Sequence, residues 1–304
     1  MLSRQVGEIK AVDGVSFDIA EREILGLVGE SGCGKSTLSR TILRLEEPTG
    51  GEIIYKGNDI ATLDKKGLRA LRREMQIILQ DPDASLDPRM TAGDSISEPL
   101  VIHDMGDDME RTDRIAELMQ QVGLNPRQAS HYPHEFSGGQ KQRIGIARAL
   151  AINPELIIAD EPVSALDVSV QAQILNLMMD IQEQFGLAYL FIAHDLAVIR
   201  HMAHRVAVMY LGKIVELADK QELFSKPLHP YTEALLAAVP SFKSKGKKSI
   251  LLSGDVPSPL NPPSGCHFHP RCHKAFALCS KEDTKLVEIS SRHFVSCHLY
   301  KTQR

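Results

Sequence analysis

Apolar residues in this chain follow two rhythms. Some come as short unbroken runs: Ile24-Leu25-Gly26-Leu27-Val28-Gly29, Met75 to Leu79, Leu156 to Ala159, and Ala188 to Ala193. Runs this short and continuous predict strands buried on both faces. Between them, apolar positions recur at helical spacing. That spacing predicts helices over 35–45, over 110–122 with Gly123 as C-cap, over 138–151 and over 168–185. In the third, Ile144, Ala147, Leu150 and Ala151 share one face. Residues 205–217 predict a hairpin turning at Leu211-Gly212. Strands alternating with helices up to about residue 218 imply an α/β fold with a parallel sheet and ligands at the strands' carboxyl ends.

Beyond that point the rhythm changes. Residues 219–238 predict two short helices broken by Pro227 and Pro230. Residues 240–265 are rich in Pro, Ser, Gly and Lys and predict a linker or extended arm. Its basic run, Lys243 to Lys248, is expected to be solvated linker. The 304 residues suffice for one large domain and a small one. Net charge is −4 with pI near 6.3, which gives no global basic field and argues against nucleic-acid binding. No apolar run reaches the roughly 18–20 residues needed to span a bilayer. The first residues lack a signal-peptide apolar core. The expected location is therefore the cytoplasmic side, with any membrane part supplied by other subunits. Four of the five cysteines lie between 266 and 297. In a reducing compartment such a cluster points to a metal site before disulfides.

The candidate chemistry sits where strands end. Gly29-Glu30-Ser31-Gly32-Cys33-Gly34-Lys35-Ser36 matches G-x-x-x-x-G-K-[ST] at every fixed position, after a strand and before a helix. The glycines let backbone N–H groups curl around phosphates, and the helix N-terminus favours an anion. Lys35 would reach the β- and γ-phosphates, Ser36 would ligate Mg²⁺, and Thr37 closes the set. Cys33 is expected to face outward as a small filler. Asp160 ends an apolar strand and suits Mg²⁺; Glu161 follows and can polarise the attacking water. Gln80 and His194 close two further strands, where Gln80 could reach Mg²⁺ or water and His194 the γ-phosphate. Ser137-Gly138-Gly139-Gln140 lies at a predicted helix start, a second anion site.

These motifs, with Ser164-Ala165-Leu166-Asp167, resemble the nucleotide-binding subunits of ABC transporters in identity and order. The resemblance implies a P-loop NTPase fold with a helical signature subdomain over about 85–153 and a small Cys-rich C-terminal lobe. It implies an ATP- and Mg²⁺-dependent ATPase domain over 1–225 and a transporter-type C-terminal region over 226–304, with a metal-cluster lobe at 266–298. By it, 29–36 is the Walker A loop, Gln80 the Q-loop, and 136–140 the signature. Residues 156–161 are then the Walker B strand, 164–167 the D-loop and His194 the switch histidine. In this family the signature meets the γ-phosphate held by a partner's Walker A loop.

Narrower stretches resemble dipeptide and oligopeptide importer ATPases. They are Gln80 to Arg89, Asp160 to Ser169, His229-Pro230-Tyr231-Thr232 and Pro257 to Cys266. That subfamily implies a second ATPase subunit, expected to be a paralogue, two membrane permease subunits and an extracytoplasmic peptide-binding protein. The stretch after Gln80 would dock a permease coupling helix. Nickel, glutathione or antimicrobial peptides are alternative cargoes; a soluble ABC ATPase acting on nucleic acid or ribosomes is a further alternative. The spacing of Cys266, Cys272, Cys279 and Cys297 does not choose an occupant. The subfamily implies a [4Fe–4S] cluster there, with zinc and metal-free thiols as alternatives. Family members usually carry an adenine-stacking aromatic near the start, and Val6 falls about there. Either Val6 and Val12 supply apolar contacts to the base, or the chain begins downstream of the aromatic. Asp83 and Asp87 stand where the subfamily often has Tyr and Asn, and are expected to be surface variation.

Overall fold

A computed structural model describes residues 9–238 and 254–300. Val6 and the Lys243–Lys248 run lie outside the described residues. In chain order the elements are β1 (Ile24–Val28), α1 (Lys35–Ile42), β2 (Ile54–Tyr55), β3 (Asn58–Asp59), α2 (Lys65–Glu74), β4 (Met75–Ile78), α3 (Pro82–Ser85), α4 (Ala92–Ile102), α5 (Asp108–Gln121) and α6 (Gly138–Leu150). They continue with β5 (Leu156–Asp160), α7 (Val168–Phe185), β6 (Ala188–Ala193), α8 (Leu196–Met202), β7 (Arg205–Tyr210), β8 (Lys213–Asp219), α9 (Lys220–Ser225), α10 (Pro230–Ala238), β9 (Val287–Ser290) and β10 (His293–Val295). Two compact units result. One holds the described residues of 1–18, 25–41 and 193–304; the other holds 19–24 and 42–192.

In the first unit β1 lies parallel to β7, with Leu25 opposite Arg205 and Val28 opposite Val208. Leu25 and Leu27 are fully buried, as a two-faced apolar strand requires. The β7–β8 hairpin is antiparallel and turns at Leu211-Gly212, where both residues adopt positive φ. Such a pair sets the turn twist that two-residue hairpins favour. The cysteine-bearing segment is not set apart as a lobe. Its β10 pairs with β8, Phe294 opposite Leu217 and Val295 opposite Glu216, and β9 pairs with β10. Pro230 opens α10 and does not break it, because proline's fixed φ and missing N–H suit a first helical position.

In the second unit β4, β5 and β6 run parallel, Met75 opposite Leu156 and Leu156 opposite Ala188. Helices α4, α5 and α6 pack with one another. Helix α5 starts on a capping box between Asp107 and Glu110 and ends before Gly123, whose φ is 73°. The helix expected to reach residue 45 stops at Ile42, since Arg44 takes a left-handed φ of 48°. Its guanidinium instead donates to the carbonyls of Ile60 and Leu63. Among the described residues no helix is long and apolar enough to cross a membrane.

Candidate functional site

The phosphate-loop candidate belongs to the first unit. After Val28 the chain turns through residues 29–34 into α1. A Cβ on Gly29 would sit 2.2 Å from the Met209 carbonyl oxygen, and one on Gly34 2.0 Å from that of Ala11. Only glycine allows the loop this seat. Gly32 and Gly34 also take positive φ, 78° and 107°. Lys35 is buried, and its ammonium donates to the carbonyls of Gly29 at 2.8 Å and Glu30 at 3.2 Å. Those bonds hold the cation over the loop. Ser36 and Thr37 follow in the first turn of α1, half-buried, and Ser31 is exposed. Cys33 does not face outward: it is buried, and burial pushes its thiol pKa up. His194 follows β6 directly and is exposed.

The second unit brings together residues that the sequence placed 81 positions apart. Asp160 ends β5, buried, and Glu161 follows in a left-handed conformation with φ 48°. Its N–H donates to the Ile192 carbonyl, and its own carbonyl accepts from the N–H and hydroxyl of Ser164. A non-glycine residue pinned this way is a strained position of the kind that clusters at reactive sites. The Gln80 side-chain amide donates to the Glu161 carboxylate at 3.1 Å. Strand-end reasoning assigned each residue separately and did not foresee this contact.

Ser137 caps α6. Its hydroxyl accepts from Gln140 N–H, and the Gln140 side chain accepts from Ser137 N–H. This reciprocal box satisfies the N–H groups of Ser137 and Gln140 and fixes the start of α6. The cap hydroxyl still has its own proton to donate. A Cβ on Gly139 would lie 2.5 Å from Val170, so glycine there lets α6 approach the start of α7. The D-loop candidate ends at Asp167, the N-cap residue of α7, and Gln171 returns a side-chain bond to Leu166. Asp83 is exposed and Asp87 partly so, and each makes an ion pair at the surface. Asp83 pairs with Lys141 on α6, and Arg148 of α6 donates to the Ser85 carbonyl. The segment after Gln80 is thus tied to the signature helix. Arg89 hydrogen bonds hold the Asp87 carboxyl down to about 2.

The four clustered cysteines carry free thiols. Burial raises the pKa of Cys266, Cys272 and Cys297, the last to about 11, and neighbouring cysteines of the same set raise each further. The Cys266 N–H also bonds the Cys279 carbonyl. Cys266 and Cys279 are thus joined through the backbone. Even so, among the described residues no three or more His, Cys, Asp or Glu side chains are grouped to hold a metal ion. The donor set suits a soft metal, but the thiols are not closed into a ligand shell.

Sequence reasoning also missed a polar contact behind the phosphate loop. Arg271, between Cys266 and Cys272, forks onto the Glu30 carboxylate at 2.7 and 3.1 Å. The Tyr231 hydroxyl accepts the Glu30 N–H at 3.0 Å. No local pattern signals a pair 241 positions apart.

The chain is similar to known proteins along most of its length. The ABC transporter family matches over residues 12–164, and the oligopeptide/dipeptide transporter C-terminal region over 215–279. The oligopeptide transport ATP-binding protein AppF of Bacillus subtilis is 56% identical over 304 residues, covering 99% of this chain and 92% of that one. A probable peptide ABC transporter ATP-binding protein of Sinorhizobium fredii is 55% identical, covering 96% of this chain and 83% of that one. Among solved structures, a dimeric ATP-binding cassette bound to ADP and phosphate matches with TM-score 0.63 and 33% identity, over 69% of this chain and 90% of that chain. A component of the cbiONQ ABC transporter complex from Clostridium perfringens matches with TM-score 0.65 and 27% identity, over 71% of this chain and 84% of that chain.

Proposed function

The chain belongs to the ABC transporter ATPase family, and from that premise we propose that it is the ATP-hydrolysing subunit of a peptide importer. The single observation that carries the hydrolytic part is the Glu161 carboxylate. It stands one residue beyond β5, on a strained backbone, with the Gln80 amide bonded to it. A carboxylate so placed can orient and polarise a water, and an amide beside it can sense Mg²⁺ or that water. In this reading Gly29 to Thr37 cradle the phosphates of ATP, Ser36, Gln80 and Asp160 serve Mg²⁺, and His194 reaches the γ-phosphate. Ser137 to Gln140 act on a partner's ATP. The matched C-terminal region and the names of the relatives support oligopeptides or dipeptides as cargo.

The partners that go with this reading are a second ATPase subunit, two permease subunits and an extracytoplasmic peptide-binding protein. The place of work is then the cytoplasmic face of the membrane. Glu161→Gln should keep ATP bound and stop turnover, at least 100-fold below wild type on the usual scale for losing a general base. Single-turnover hydrolysis alongside nucleotide retention measures it, and normal hydrolysis by the variant would remove Glu161 from the role.

For the four cysteines we propose the [4Fe–4S] reading over zinc. It is supported by the donor set of four free thiols, three of which (Cys266, Cys272 and Cys279) lie in the stretch matched by the oligopeptide/dipeptide transporter C-terminal region. Such a group would tie a loop-rich segment together. Anaerobically purified protein should be brown, with iron and sulfide in near-equal amounts. A colourless protein holding stoichiometric zinc would overturn the assignment.

A further inference from the structure

The phosphate-binding motif leaves its second position open to any residue, yet here that position is an acid. An unpaired carboxylate beside a triphosphate repels it. Glu30 is not unpaired. The Arg271 guanidinium meets it in a two-bond fork, Nη1 to Oε2 at 2.7 Å and Nη2 to Oε1 at 3.1 Å. The Arg271 side chain is 6% exposed and that of Glu30 25%. Arg271 Nη1 also approaches the Tyr210 hydroxyl at 3.5 Å, and the guanidinium lies 5.9 Å from the Tyr210 ring centroid.

An aromatic wall stands behind this pair. Tyr210 packs on Tyr231 at 4.7 Å and on Phe268 at 5.2 Å between centroids, and Tyr231 packs on Phe268 at 5.3 Å. All three rings are almost wholly buried. Low local polarity strengthens a bidentate ion pair and makes the loss of either partner costly. The Tyr231 hydroxyl accepts the Glu30 backbone N–H, so side chain and backbone of one loop residue are both gripped. Both grips come from the chain beyond β8. Arg271 itself is set by a single 3₁₀ turn, His269–Arg271, its N–H bonded to the Phe268 carbonyl.

We propose that Arg271 is a positioning residue for the phosphate loop. It fixes the loop through Glu30 and cancels the charge that Glu30 would otherwise present to the nucleotide. The C-terminal segment thereby sets the chain's affinity for ATP. This rests on the reading that residues 29–36 bind ATP.

The test is equilibrium binding of a fluorescent ATP analogue to the full chain. Wild type, Arg271→Ala, Arg271→Lys, Glu30→Gln and the double variant Arg271→Ala/Glu30→Gln are compared, with a thermal melt of each. Arg271→Ala should weaken binding about 10- to 100-fold, the scale of a charged hydrogen-bonded pair. Arg271→Lys, which keeps a charge without the fork, should fall between that variant and wild type. The double variant should recover most of the loss, because the uncompensated carboxylate is gone. A merely structural Arg271 would give no such recovery. Wild-type affinity in Arg271→Ala, or equal weakness in the single and double variants, would overturn the proposal. Should Arg271→Ala fail to fold, Arg271→Lys with and without Glu30→Gln makes the same comparison. A wild-type chain that bound no analogue would defeat the ATP-binding reading itself, which is a different result from a binding chain indifferent to Arg271.

Discussion

His229 is a neutral imidazole sealed in the first unit. It is 1% exposed, and its Nδ1 accepts the Tyr231 N–H at 3.1 Å. The His229 backbone N–H donates to the Glu216 carboxylate, which also accepts from Leu228 N–H and meets the His293 ring at 2.8 Å. Burial lowers the His229 pKa from 6.5 to about 4, with Glu216 pulling weakly the other way. The folded value lies below the unfolded one, so between them the unfolded chain binds the extra proton. Stability is then complete above pH 6.5 and falls as pH drops toward 4. That separation corresponds to about 3 kcal/mol at most. Urea denaturation across pH 4–7 should show this loss in wild type. It should be largely absent in His229→Asn, whose side-chain oxygen can still accept the Tyr231 N–H. Parallel pH profiles for the two proteins would rule the histidine out.

At the scale of elements, legibility followed locality. Strands β1, β5 and β6 were readable because burial on both faces leaves an unbroken apolar run. The β7–β8 turn was readable because Leu211-Gly212 is one of few places where the chain could reverse. Helix α6 was readable from its apolar face, and Ser137 and Gln140 then supplied the cap. Helices α2 and α4 were not foreseen. The first is dominated by charge, with Leu71 its one buried residue, and the second holds Pro99 inside. Boundaries moved where one residue's backbone decided them, as Arg44 did for α1. The site divides the same way. Motif residues could be named from spacing, since phosphate chemistry dictates glycines at fixed steps. Their long-range braces could not. Gln80 on Glu161, Asp83 on Lys141 and Arg271 on Glu30 join residues that no window of sequence contains together.

For the whole molecule, the question is whose ATP each motif serves. In the proposed reading this chain's phosphate loop holds its own nucleotide, while its signature acts on the partner's. Gly138 allows the two roles to be separated. It opens α6, its backbone φ is not left-handed, and a Cβ there would meet Leu166 at an ordinary 3.4 Å. An aspartate at a first helical position suits the helix dipole, so Gly138→Asp should leave α6 folded. The same carboxylate would repel a γ-phosphate approaching the helix N-terminus. The isolated variant should therefore bind ATP within about twofold of wild type, because this site belongs to the partner's nucleotide and a twofold change is under 1 kcal/mol. Lys35→Ala should abolish that binding. In the assembled transporter, ATP turnover by Gly138→Asp should fall at least tenfold, the loss of a few charge-assisted bonds to phosphate. Measuring nucleotide binding on the isolated chain and hydrolysis on the complex separates the two. If Gly138→Asp lost binding in isolation as Lys35→Ala does, the signature would serve the chain's own ATP, and the divided site would have to be abandoned.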